Sequence, residues 1–492
     1  MIFALIGVPF IAGILAFLIR HDGPRRALFI SAAVIHASLS AAVWFFPPEG
    51  VKAGKWFCVD PLGKLFLSVI SLLFLAASIY GTAYLRREGH GGRKDIEEGF
   101  IFSDAPEAVF TGCLLIFLSA MTLVTVSRHM GVLWVAMETT TLVSAPLIYF
   151  HRHHRSLEAA WKYLLICSVG IALALIGNLF LAVSVNNAPE GYTPLLLGDM
   201  IKQGAGLNVP RLKVAFIFLI VGYGTKMGLA PMHTWLPDAH SEAPSVVSAL
   251  LSGALLNCAF LGILRAHQVS CAAGQAEFSG QLLMVFGIVS MAFAAVFIAG
   301  QTDFKRMLAY SSVEHMGIMA LGAGIGGGAV FGAMFHVINH SLIKAVLFFT
   351  AGNILAVYRS KNIRDIRGAV KVIPYSGVLW IAGFLAVTGT PPSGIFLSEF
   401  IILKGALDSG HIFFAAAYII LLSVIFISMA NIVLNMAQGD PSEEFSRGKV
   451  RESFMLTAPG SILCLIALIL GVYMPGALQR VLEQAARVLG GI

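Results

Sequence analysis

Apolar stretches of about 20 residues recur from one end of this 492-residue chain to the other, and that recurrence decides what the chain can become. An α-helix rises ~1.5 Å per residue, so about 20 such residues reach across the ~30 Å hydrocarbon core of a bilayer. Only 12% of the residues are charged and 58% are hydrophobic, where a soluble domain carries roughly 25% charged residues. A water-soluble fold is excluded. Length alone suggests about three soluble domains of ~150 residues, but the apolar runs make residues 1–492 one all-α, polytopic membrane domain.

About fourteen runs, bounded by charged, Gly or Pro clusters, predict helices near 2–19, 27–46, 62–85, 107–126, 131–150, 159–184, 212–232, 245–266, 280–300, 306–323, 329–357, 375–403, 411–437 and 455–474. The first run has no basic segment before it and no AxA-like site, so it reads as a span rather than a signal peptide. With the N-terminus outside, the odd-numbered connections are Arg20–Arg26, Arg86–Asp104, His151–Arg155, 233–244, Asp303–Arg306, Tyr358–Lys371 and Gln438–Glu452. They carry nineteen Lys and Arg against about ten on the other side, which places them in the cytoplasm. The same distribution accounts for the formal charge of +7 without nucleic acid. The longest polar stretches, 86–106 and 186–211, are too short to hold a folded domain.

Several types of chemistry are missing. There is no GxGxxG after a strand, no Walker A sequence and no GxSxG. Six cysteines (Cys58, Cys113, Cys167, Cys258, Cys271, Cys464) are scattered without a CxxC, so no disulfide framework, zinc site or Fe–S cluster is expected. The chain is expected to bind no cofactor, and whatever drives it comes from partner chains or an ion gradient.

Two apolar runs are each interrupted by proline, the seventh at LAP (Leu229–Pro231) and the twelfth at GTPPSG (Gly389–Gly394), about 160 residues apart. Paired broken helices signal inverted repeats around a midplane ion site; a pair of harmless kinks is the plainer reading.

Ionisable groups in mid-span cost several kcal/mol and are functional candidates by default. Glu138, in LWVAMETTTLVSAPLIY, lies too deep to reach the interface. Lys226 sits five residues before Pro231, and a buried ammonium keeps its proton only where a carboxylate supports it. Glu138 and Lys226 from neighbouring helices therefore make a pair whose separation controls the lysine's proton. In FHVINHSLIKAVLFF, His336, His340 and Lys344 recur at i, i+4 and i+8 and share one helical face. A lone histidine there is more often a satisfied core residue, but three groups in register argue for a proton-relaying file. Glu399, after the second break, and Glu314 and His315, in YSSVEHMGIM, extend it. Zinc is the competing reading of the histidine pair. No third ligand at standard spacing is visible and Lys344 on the same face repels a cation, so no metal site is expected.

Other positions carry a secondary path or a plain structural role. Lys162, opening the sixth span, marks the interface or faces inward. Asn257 is an interhelical hydrogen-bonding residue or a water ligand. Asp238 and His240, in LPDAHSEAPS, admit protons or cap a helix, and Lys305 marks a helix boundary or joins the path with His233. The HRHHR run, His151 to Arg155, reads as a solvated basic loop rather than a chelating cluster.

METTTLVSAPLIYF (137–150), GYGTKMGLAPMHTWLPDAHSEAPSVVSALLSG (222–253), DFKRMLAYSSVEHMG (303–317), FHVINHSLIKAVLFFTAG (335–352) and GTPPSGIFLSEF (389–400) together resemble the antiporter-like subunits shared by respiratory complex I, Mrp-type sodium/proton antiporters and energy-converting membrane-bound hydrogenases. The resemblance covers roughly residues 105–437. The LPDAHSEAPSVVSALLSGALLNCAFLGILR stretch resembles the hydrogenase-4 component F branch. It implies helices one to three over 1–104, inverted five-helix repeats over 105–270 and 280–437, discontinuous seventh and twelfth helices, and a fourteenth helix in 455–492. It implies that Glu138 and Lys226 are the family's Glu/Lys pair. His336, His340 and Lys344 would belong to the central hydrophilic axis, Glu399 to the twelfth-helix position, and Lys305 and His315 to axis-associated positions. It departs from some members in the eighth helix, where Ser252 and Asn257 stand in place of Lys or His. The implied activity is proton translocation in a bacterial or archaeal cytoplasmic membrane, as a non-catalytic subunit of a redox-driven complex. Its partners would be other membrane subunits and peripheral Ni–Fe and Fe–S proteins. A subunit of a gradient-driven Mrp-type Na+/H+ antiporter is the alternative, and a membrane anchor with a vestigial ion path a third reading.

Overall fold

Inside a bilayer a chain satisfies its backbone only by forming helices or a closed barrel, and the computed structural model is helical almost throughout. It describes residues 1–46, 56–88, 93–94, 101–185, 193–441 and 451–490. The N-terminal part comprises α1 (Ile2–Leu18), α2 (Asp22–Phe45), α3 (Pro61–Glu88) and a two-residue antiparallel pair, β1 (Arg93–Lys94) and β2 (Ile101–Phe102). Then come α4 (Glu107–Val126), α5 (Met130–Ile148), α6 (His154–Ala182), the short α7 (Leu197–Lys202), α8 (Val209–Met227), α9 (Trp235–Glu242), α10 (Ser245–Leu250) and α11 (Leu256–Ala272). The second half runs α12 (Ala276–Ala299), α13 (Phe304–Ile325), α14 (Gly327–Tyr358), the short α15 (Ala369–Val372), α16 (Pro374–Val387), α17 (Gly394–Asp408) and α18 (Ile412–Ala437). α19 (Phe454–Val472) and α20 (Gly476–Arg487) follow. Parts of the expected polar stretches, 89–92, 95–100 and 186–192, and most of the Gln438–Glu452 connection lie outside the described residues.

Ten of these segments are long and apolar enough to cross a bilayer by themselves, α10 and α11 counting as one. With α1, α8–α9, α13 and α16–α17 there are fourteen crossings among the described residues. Both expected breaks are present, and one connection differs in kind from expectation. The seventh span ends at Met227, where Gly228 adopts φ +81°, a left-handed conformation that glycine takes without strain. The chain restarts as a helix at Trp235, so the 233–244 segment, expected as a loop, is mostly α9. The twelfth breaks between Val387 and Gly394, with Gly389 at φ +65° and Ser393 capping α17 by accepting from the Phe396 N–H. Proline supplies no N–H and clashes with the preceding turn, so neither helix runs through.

The odd-numbered connections meet on one face. His151 and Asp104 lie 2.7 Å apart, His153 lies 3.6 Å from Glu242, Ser241 donates to Asp303 at 2.6 Å, and Lys361 donates to Glu242 at 2.8 Å. The opposite face is tied by Arg265, which grips Asp60 with both terminal nitrogens at 2.5 and 2.7 Å, and by Arg128 at 3.7 Å from the same carboxylate. The fourth crossing starts from the first face and the ninth from the second. The five-crossing units α4–α11 and α12–α18 therefore run in opposite senses, each with its fourth crossing broken.

α14, 32 residues long, touches α3, α10, α13, α16, α17, α19 and α20 and is buried along most of its length. α18 instead turns Ile412, Phe413, Ile419, Ile420 and Ile427 outward. The amphipathic α20 buries Val481, Leu482, Ala485 and Ala486 against α3 and α14.

Candidate functional site

Lys226 occupies the last turn of α8, just before the break, and is fully buried. Its ammonium donates to the Thr141 hydroxyl at 2.6 Å and to the Tyr163 hydroxyl at 2.8 Å, and lies 4.9 Å from the Tyr163 ring centre. Glu138, one turn before Thr141 on α5, accepts from Thr141 at 3.3 Å and from Ser168 at 3.1 Å. No ion pair joins Glu138 to Lys226 directly. Tyr163 in turn lies 2.6 Å from the Ser144 hydroxyl, which donates to the Thr140 carbonyl at 2.7 Å; Ser144 thus accepts from Tyr163. The lysine ends a chain of hydroxyls whose orientation its own charge sets.

The second half of the file follows α14. The His336 and His340 rings stack 6.4 Å apart at 6°, as their shared face requires. His336 Nε2 lies 2.9 Å from His315 Nδ1 on α13, and His336 Nδ1 lies 2.9 Å from the Ser398 hydroxyl on α17. Neither nitrogen of His340 has a hydrogen-bond partner, and its ring lies 5.0 Å from that of His315. Lys344, fully buried, donates to the Leu308 carbonyl at 3.0 Å. Glu399 is buried one turn into α17, with Oε1 unpartnered, and Glu314 is buried and accepts from Ser311 at 3.4 Å. His336, His340, Lys344, Glu399 and His315 are thus brought together by α13, α14 and α17.

Between the halves lie polar groups on the eighth crossing. Asn257 donates to the Ser341 hydroxyl at 2.7 Å, and Ser252 lies 2.8 Å from Ser312. Ser252 sits in a π-helical turn, Leu251–Leu255, that separates α10 from α11; such turns free backbone groups inside a helix. Asn257 Oδ1 is buried without a partner.

Of the five remaining secondary positions, two join the file. Lys305 is buried and donates to the Ser241 and Ala243 carbonyls at 2.9 and 2.6 Å, at the C-terminal end of α9, where a helix dipole favours a cation. His240 is buried against Phe348, its nitrogens unpartnered, within reach of both the Lys305 and Lys344 charges. The other three stand apart. Lys162 is half exposed, paired with Glu158 at 2.7 Å and Asp238 at 2.9 Å, and Asp238 also pairs with Arg306. His233 packs among Phe293, Phe297 and Tyr310.

The residue that replaces Lys162 in the buried site is its neighbour Tyr163, because one step along a helix turns the side chain by about 100°. The hydroxyls Thr141, Ser144, Ser168 and Ser398 were also not singled out from sequence, although the run Thr139–Thr141 and Ser144 places the first two beside Glu138. Nothing in a serine's identity distinguishes a relay from one bonded to its own helix.

A family model described as "NADH:quinone oxidoreductase/Mrp antiporter, TM" matches residues 127–426. The "Hydrogenase-4 component F homolog" of Methylacidiphilum infernorum is 34% identical over 394 residues, 79% of this chain and 81% of that protein. A chain of the membrane-bound sulfane sulfur reductase, an archaeal respiratory membrane complex, superimposes with a TM-score of 0.86 at 18% identity, covering 100% of this chain and 98% of that one. A chain of the Mrp complex of Dietzia sp. DQ12-45-1b does so with a TM-score of 0.84 at 19% identity, covering 99% and 96%. These two likenesses are of fold.

Proposed function

Because this chain belongs to the family of NADH:quinone oxidoreductase and Mrp antiporter transmembrane subunits, we propose that, as an antiporter-like multi-pass membrane subunit, it translocates protons within a redox-driven complex. The complex is of the hydrogenase-4/formate hydrogenlyase or NADH:quinone oxidoreductase type, in a bacterial or archaeal cytoplasmic membrane. One observation carries this reading: Lys226 is fully buried, bonded only to hydroxyls, and one hydroxyl away from Glu138. A buried ammonium without a directly paired carboxylate is costly, so a small shift of Glu138 or Thr141 changes whether Lys226 keeps its proton. A released proton has the eighth-crossing groups, Asn257–Ser341 and Ser252–Ser312, on the way to Lys344. From there Glu314, the three histidines and Glu399 continue toward the second break, and His240 and Lys305 toward the face of the odd-numbered connections.

In this reading the Ni–Fe and Fe–S centres belong to peripheral partner subunits, this chain carries no cofactor, and the partners deliver the free energy by changing the field at one end of the file. The test is Lys226→Ala in the assembled complex: proton movement into vesicles is lost while the subunits still copurify. Unchanged proton movement overturns the proposal. A subunit of a gradient-driven Mrp-type Na+/H+ antiporter is the second reading, favoured by the fold shared with the Mrp complex. Mass spectrometry of the complex extracted from native membranes, with a Ni and Fe assay, separates the two.

A further inference from the structure

Three buried side chains from three helices converge beside the break in the twelfth crossing. His315 on α13, His336 on α14 and Glu399 on α17 each offer a ligand atom, and these atoms all lie within 4.8 Å of one another. We propose that they form a binding site for Zn2+, and that its occupation arrests proton movement through the second half of the file. Two imidazoles and one carboxylate are the donor set of open zinc sites, whose fourth position is left to water. Bonds of ~2.0–2.2 Å hold tetrahedral ligand atoms about 3.4 Å apart, so closing the cluster on a metal takes an inward shift of roughly 1 Å.

The hydrogen bonds already set the ligands for this. Ser398 donates to the Ile395 carbonyl at 2.8 Å, so it accepts from His336 Nδ1–H. That leaves the lone pair of His336 on Nε2, where it accepts from His315 Nδ1–H. The lone pair of His315 is then on Nε2, and this atom and Glu399 Oε1 are both buried with no partner. A metal between the two rings takes the place of the shared proton, which passes to the free Nε2 of His315. The carboxylate binds deprotonated, so any proton on Glu399 leaves as the metal enters. Ser398, bonded to the far nitrogen of His336, is the outer partner that fixes a ligating imidazole.

The fold answers one sequence-level objection to a metal and lessens the other. The missing third ligand comes from a helix 63 residues further along the chain than His336. Lys344 lies two turns, about 12 Å, along α14 from His336, with its ammonium held by the Leu308 carbonyl, and of the three ligands its charge acts on His315.

Binding is independent of the proton path; the arrest rests on it. The intact complex, stripped of metal and equilibrated with Zn2+, is desalted and its zinc counted, and proton movement is measured with and without Zn2+. The expected result is one more tightly held zinc per complex in the native protein than in His336→Asn or Glu399→Gln, with affinity lowered at least about tenfold in the variants, and suppressed proton movement in the native complex. Glu399→Gln keeps the side chain's shape, so the comparison survives if His336→Asn fails to assemble. His154→Asn, at the exposed start of α6, leaves the difference intact. Equal zinc in the native complex and both variants overturns the site. Site-dependent zinc with undiminished proton movement keeps the site and overturns the route proposed through it.

Discussion

Thr141 stands between Lys226 and Glu138: its hydroxyl accepts from the lysine at 2.6 Å and donates to the carboxylate at 3.3 Å. The pair that the sequence suggests is thus a relay of three residues, and the charge on Lys226 is felt at Glu138 through one rotatable O–H.

Thr141→Val, which keeps the shape and removes the hydroxyl, is expected to uncouple the pair. Stranding a buried donor costs about 1–3 kcal/mol, so proton movement falls severalfold or more while the complex still assembles. Thr141→Ser restores it. Equal rates for valine and threonine in a vesicle proton assay would remove Thr141 from the path.

Adjacent residues on α6 are expected to behave oppositely. Tyr163→Phe removes an acceptor from Lys226 and a donor to Ser144 and lowers proton movement. Lys162→Ala breaks exposed pairs with Glu158 and Asp238, worth about 0–1 kcal/mol, and leaves it near native. A reversed ranking in the same assay would place the path on the outer face of α6.

Gly389→Ala tests the second break. Its φ of +65° disfavours a side chain by roughly 1–2 kcal/mol, and a Cβ there meets the Glu399 carboxylate. The expected outcome is a displaced Glu399 and impaired proton movement with little loss of assembly, read by copurification alongside the vesicle assay.

Asp60 is a stability site outside the spans. Burial pushes its carboxyl up, but Arg265 and Arg128, with the Gly63 N–H, more than offset this and hold it below the usual carboxylate range. Asp60→Asn strands the buried Arg265, whose remaining side-chain partner is Gln268 at 3.3 Å, and costs about 3 kcal/mol, the lower end for a broken buried pair. A carboxyl lowered on folding stabilises fully above its unfolded value of about 4 and loses that contribution as the pH falls through the folded value. The gap in thermal midpoint between native protein and Asp60→Asn is therefore constant near neutrality and shrinks below about pH 4. A gap that persists there would show that Asp60 acts through packing alone.

The spans were legible because each is written locally, in runs long enough to cross a bilayer. So was the face of α14, since helical spacing alone puts His336, His340 and Lys344 in register. The restart at Trp235 was not, because LPDAHSE is too short and polar to announce a helix; it forms where Lys305 meets its C-terminal carbonyls. Nor was the outward turn of Lys162, which only the packing of α6 against its neighbours fixes.

By itself the sequence determined that this chain fills a membrane with about fourteen helices, breaks two of them at proline, buries Lys226, His336, His340, Lys344 and Glu399 and half-buries Glu138, because hydropathy and periodicity act over one or a few turns. Only the tertiary structure decided which of those groups meet. Thr141 stands between Glu138 and Lys226, Tyr163 displaces Lys162, and His315, His336 and Glu399 close on one another, because contacts between helices far apart in sequence depend on how each helix is rotated and how deep it sits.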